Sequence, residues 1–163
     1  MSLTAVAQRL GVATPSLNSH IRNLSALRRL VALEGCRELE QAFLEATDTS
    51  PGAEGLRRAA DSYRTFARDH PGLYEALLPA PAPHEDGELA AAMAAPVVVL
   101  GELLRDLGAE PDQAVHLIRA LRSTLHGFVT LERDSGFGLP TDVDESWRTT
   151  VDLMVRGICE ALA

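Results

Sequence analysis

The chain has 163 residues, 15 of them arginine and none lysine, with 23 acidic residues and a formal net charge of −8. A chain of this length buries a core without disulfide or metal staples, and its 46% hydrophobic content excludes a disordered tail. No apolar run is expected to reach the ~20 residues of a membrane span, and the N-terminus lacks the basic start, apolar stretch and small-residue cleavage site of a secretory signal; a cytoplasmic protein is expected.

In chain order, helical periodicity dominates. The run Val97-Val98-Val99-Leu100 favours strand but sits inside an Ala- and Leu-rich segment, aromatics are scarce, and alternating stretches bounded by turns are lacking. The expected fold class is all-α. A helix over 3–10 is closed by Gly11. A second starts with Thr14 as N-cap and Pro15 at the first helical position, and runs to about 22. Ser25 caps a longer helix to about 46. A loop at 48–52 leads to a helix over 53–69, broken by Pro71-Gly72, and a short helix runs through 78. Pro79, Pro81 and Pro83 then force an extended linker. A long helix over 86–107 is expected to bend near Pro96. Gly108 closes it, Pro111 opens the next to about 134, and the last covers about 144–162. Two regions are predicted: 1–27, a partial helix-turn-helix lacking its first helix, and 28–163, a helical ligand-binding and dimerisation domain.

Charge separates the same two regions. Residues 1–33 hold Arg9, Arg22, Arg28 and Arg29 and no acid, +4 locally against −12 for the remainder, as in a small basic face on an acidic body. Within 3–17, Ala7 is small where two helices must approach, and Gly11 sits where the turn calls for positive φ. Val6, Leu10, Val12, Leu17 and Ile21 are spaced to share an apolar core. Thr14, Ser16, Asn18, Ser19, His20 and Arg22 are left facing outward, short polar or basic side chains suited to base edges and phosphates. An ordinary helical hairpin fits the same pattern.

The stretch from Leu3 to Leu27 resembles the TetR family, in which an L-T-x-V-A-x-x-L-G-V helix (here Leu3 to Val12) precedes a recognition helix ending L-Y-x-H (here Leu17-Asn18-Ser19-His20). Asn18 replaces the tyrosine and Leu24 a frequent lysine, both expected phosphate contacts. The family carries a further helix and a short basic arm ahead of this motif. Without that wall for Val6, Leu10 and Ile21, the 163-residue chain is expected to bind DNA poorly at physiological salt. Further on, Arg122, His126, Gly127, Leu131 and Glu132 resemble a W-x-x-x-H-G-x-x-x-L-E signature of one TetR subgroup, with Arg122 in the place of tryptophan. The resemblance implies a homodimer that binds double-stranded operator DNA, acting as a regulator, most simply a repressor, released by a small effector.

The residues themselves point to a sensor body. Tyr63, Phe66, Met93, Val97, Leu100, Leu104, Leu125 and His126 are candidate walls of an effector pocket; each also fits plain core. Few charges fall among them, so an uncharged or weakly polar hydrophobic ligand is expected. His126 reads either as a hydrogen-bonded core histidine or as a ligand contact, and Gly127 as a site of close helix approach. Leu117, Leu121 and Phe128 form one apolar stripe, and Trp147, Val151, Met154 and Ile158 another. Paired with symmetry mates, these would give a four-helix dimer interface. No nucleophile with a spaced base is visible, so no enzyme is expected. The histidines have no metal-ligand spacing, so no metal or other cofactor is expected. Cys36 and Cys159 read as reduced thiols. The alternative is a helical small-molecule-binding protein without DNA activity.

Overall fold

The computed structural model describes residues 2–78 and 86–163; the proline linker at 79, 81 and 83 and His84 lie outside them. Among the described residues there are eight helices and no strand. They are α1 Leu3–Leu10, α2 Thr14–His20, α3 Leu24–Thr47, α4 Gly52–Asp69, α5 Pro71–Ala76, α6 Gly87–Asp106, α7 Pro111–Arg133 and α8 Val143–Ala161.

Local chemistry sets most of the ends. Ser2 caps α1 by accepting the Ala5 N–H at 3.2 Å. Gly11 closes it at φ +67, with its N–H on Gln8 O and the Val12 N–H on Ala7 O, a left-handed C-terminal cap. Two expected caps are corrected. Thr14 is already helical, so Ala13 is the N-cap of α2, without a side-chain bond, and Pro15 lies one place further in. In α3 the cap is Asn23, whose extended backbone lets its Oδ1 accept the Ala26 N–H at 2.8 Å; Ser25 lies inside the first turn, where a cap no longer forms. Helix α2 also stops at His20, so Arg22 sits in the connection to α3.

Helices α3 to α8 share one core. α3 packs on α4, α5 and α6; α4 also meets α6, α7 and α8; α7 meets α6 and α8. Leu56, Tyr74, Leu104, Leu121 and Val155 are fully buried. The α4 start and α6 approach so closely that a β-carbon on Gly55 would collide with the Ser50 carbonyl oxygen and lie 2.5 Å from Leu103 Cδ2. Arg64 of α4 is buried and clasps three helices together: it bonds Glu132 of α7 through Nε at 2.8 Å and Asp144 of α8 at 2.7 Å. Its guanidinium lies 5.2 Å from the Trp147 ring and 5.7 Å from that of Phe128, a stacked cation in a desolvated setting.

Two further expectations change. Helix α6, at 20 residues and with a mean hydropathy of 1.6 in its most apolar window, is long and apolar enough by length and composition to cross a membrane. It packs against α3, α4 and α7 and runs through a buried Pro96. The expected dimer stripes face inward: Leu121, Phe128, Trp147, Val151 and Ile158 are buried in the protomer's own core, and Leu117 and Met154 are half-buried against it. Periodicity finds the apolar face of a helix, and here the same chain covers that face. Nor does another helix approach Gly127, since a β-carbon there would meet nothing within 4 Å.

Candidate functional site

A half-open cavity of about 460 Å³ lies between α3, α4, α5, α6 and α7. Tyr63, Met93, Val97, Leu100, Leu125 and His126 all line it. Phe66 and Leu104 do not: Phe66 is buried with its ring 5.6 Å from that of His70, and Leu104 is fully buried in the general core. Phe66 is three positions on from Tyr63, on the same side of α4 but nearly one turn further along, where it packs on His70 beyond the cavity wall.

Other lining residues come from three places. Cys36, Leu39 and Phe43 follow one stripe of α3, and Tyr74 and Leu77 come from α5 and its end. Arg119, Arg122 and Ser123 come from α7. The α3 stripe was within reach of periodicity, at steps of three and four. Tyr74 was not, because only the turn at His70-Pro71 folds it back beside Tyr63.

The polar floor of the cavity is a chain of three side chains from three helices. Tyr63 donates to the Tyr74 hydroxyl at 3.2 Å, and the Tyr74 hydroxyl is 2.6 Å from Nδ1 of His126. Tyr74 thus sits between the other two, accepting from Tyr63 and sharing one proton with Nδ1 of His126. Burial pushes the Tyr63 hydroxyl far above the usual phenol range, the bond with Tyr74 adds to this, and the Arg122 charge pulls the other way. Burial, then the nearby Glu40 carboxylate, pushes the Cys36 thiol up, which keeps it protonated and poorly nucleophilic. Both cysteines are free thiols. Among the described residues no group of three or more His, Cys, Asp or Glu side chains could hold a metal ion.

The α7 signature residues thus have separate tasks. His126 joins the tyrosine chain and faces the cavity. Glu132 holds Arg64. Leu131 is exposed on the outer face.

The second candidate surface is the α1–α2 head. Ala7 and Leu17 are its buried contacts, whereas Leu10 is 64% exposed and Val12 43% exposed; the shared core expected of Val6, Leu10, Val12, Leu17 and Ile21 is open on one side. Ser16, Asn18, Ser19, His20 and Arg22 are exposed and Thr14 is half-buried. The Ser19 hydroxyl donates to Ser16 O at 2.7 Å, so its proton is committed to the helix. The basic face is smaller than the count of arginines implies. Arg29 bonds Asp86 through Nε at 2.5 Å and Nη2 at 2.8 Å, and reaches Glu88 as well. It thereby joins α3 to the start of α6, and Arg29 together with the backbone N–H of Leu89 holds the Asp86 carboxyl below its ordinary range.

Residues 56–154 match the family described as "Tetracyclin repressor-like, C-terminal domain". The chain is 30% identical over 159 residues to the uncharacterized HTH-type transcriptional regulator YobS of Bacillus subtilis, covering 97% of this chain and 82% of that protein. It is 31% identical over 147 residues to the uncharacterized HTH-type transcriptional regulator Rv0681 of Mycobacterium tuberculosis, covering 88% of this chain and 65% of that one. Among solved structures, the TetR family regulator PfmR of Thermus thermophilus superposes with a TM-score of 0.73 at 21% identity, over 96% of this chain and 85% of its own.

Proposed function

The chain belongs to the TetR family of transcriptional regulators, and from that premise we propose that it is a ligand-responsive DNA-binding repressor. Residues 1–27 are its reading head and 28–163 its sensor and dimerisation domain. Thr14, Ser16, Asn18, Ser19, His20 and Arg22 contact operator DNA, and a small, mainly apolar effector enters the cavity and releases it.

The observation that carries this reading is the position of α3. One end of α3 leaves the head at the Asn23 cap, and further along the same helix Cys36, Leu39 and Phe43 wall the cavity. Opposite them, Met93, Val97 and Leu100 of α6 form the other wall, and the start of α6 is tied to Arg29 on α3. A ligand that spreads α3 from α6 moves the element that carries the head. Two conformations with different DNA affinity are then biased by ligand. The volume lies within the usual range of small-molecule pockets, roughly 300–1,000 Å³.

Two reading heads on two half-sites require a dimer. With the expected stripes turned inward, the dimer face passes to the outer side of α7 and α8. Ala120, Gly127 and Leu131 lie there on α7, and Leu153 and Gly157 on α8. Leu153 is 66% exposed, and small neighbours let helices from two copies approach.

A sensor without DNA activity is the second reading, favoured by the open apolar side of the head at Leu10 and Val12. Selection from a random duplex library at about 50 mM salt, where phosphate contacts are strongest, separates the two. The repressor reading predicts enriched paired half-sites about 10 base pairs apart or a multiple of that, lost in Asn18→Ala/His20→Ala. No enrichment by the unaltered chain would leave the sensor-only reading standing.

A further inference from the structure

The cavity carries a charge pattern that its apolar walls do not explain. Arg119 and Arg122 line it, and among the described residues no aspartate or glutamate does, in a chain whose net charge is −8. On α7, Arg119, Arg122, Ser123 and His126 stand at i, i+3, i+4 and i+7, one face of the helix, and all four line the cavity. Neither Arg119 nor Arg122 is paired with an acid among the described residues, whereas Arg64 and Arg133 both are. Arg119, Arg122 and Ser123 can each donate a hydrogen bond, and His126 can do so through Nε2 in the tautomer whose Nδ1 accepts from Tyr74. The remainder of the wall is chiefly Leu39, Phe43, Met93, Val97, Leu100 and Leu125.

We propose that the ligand is an amphiphile: an apolar chain or ring lodged among those side chains and ending in one anionic group, carboxylate or phosphate. Arg119 and Arg122 receive that group, with Ser123 and His126 beside it. This deepens the sensor reading and depends on the cavity taking a ligand at all. The physical division of labour is clear. Guanidinium forks match carboxylate and phosphate geometry, but both arginines are exposed at the mouth, so together they favour an anion by about tenfold. The buried chain contributes roughly fourfold in affinity per methylene. The tail therefore supplies most of the affinity, and the arginines choose the head group. The candidate walls read from sequence, which point to an uncharged or weakly polar ligand, leave out Arg119 and Arg122; their steps of seven and four from His126 put them there.

Titration calorimetry of the full chain with decanoate, decyl phosphate, decanol and decyltrimethylammonium, each below its micelle concentration, tests this. At least one anion should bind about tenfold tighter than decanol, with the ammonium weakest; the tighter anion identifies the head group. In Arg119→Gln/Arg122→Gln that advantage should vanish while decanol binding stays unchanged. Decanol or the ammonium binding as tightly as both anions would overturn the inference and leave the sensor reading intact, as would an anion preference that survives in the double variant. Binding by none of the four would contradict the sensor reading, and the inference with it.

Discussion

The head and the body are held together in opposite ways. In α1–α2, Ala7 and Leu17 are the buried side chains and Leu10 and Val12 remain in solvent; the turn at Gly11 and the Asn23 cap at the start of α3 carry much of the order. In α3–α8, a continuous core from Leu39 to Ile158 is cross-braced by Arg64 and by the Trp147 Nε1–H bond to Asp61 at 2.6 Å. Short helices with little shared burial are marginal on their own, whereas the body has the packing to hold a cavity open. Head and cavity therefore have separable stabilities, and a change in one need not unfold the other.

Substitutions in the two regions should separate their stabilities. Trp147→Ala should have the largest effect, lowering body stability by about 3–5 kcal/mol in urea unfolding, since it removes a buried ring, the Asp61 bond and the stack on Arg64. Gly55→Ala should cost about 2 kcal/mol in the same measurement, because its methyl has to displace backbone at Ser50. Gly11→Ala should cost about 1 kcal/mol, and hydrogen exchange should locate the loss in α1–α2 with the body's thermal midpoint unchanged; a β-carbon there meets nothing, so the penalty is purely conformational. Equal loosening of α4 or α7 in that variant would break the separation. Leu153→Glu should have the smallest effect on the protomer, within about 0.5 kcal/mol, yet shift sedimentation toward monomer. A dimer that persists unchanged would move the interface off the outer face of α7 and α8.

Helix content and most boundaries were legible in the sequence because single residues impose them: Gly11 and Gly108 at positive φ, Pro111 in a first turn. The sequence puts the α3 cap at Ser25, whereas Asn23, an equally good cap two residues earlier, takes it because its backbone is extended. Much of the cavity was legible through aromatic and apolar stripes on α4, α6 and α7. What the sequence withheld is tertiary: that Tyr74 returns to Tyr63, and that Arg29 is tied to Asp86. The two dimer stripes show the same limit. An apolar face announces that it will be covered, and does not announce by which chain.

The central claim is that cavity occupancy controls the head through α3. It is tested most directly by fluorescence anisotropy on the duplex enriched at low salt, comparing the unaltered chain with Val97→Trp, whose indole would fill the cavity from α6. The variant should bind DNA about tenfold more weakly or worse, with the same thermal midpoint. Equal affinity in a variant shown to exclude ligand from the cavity would contradict that claim.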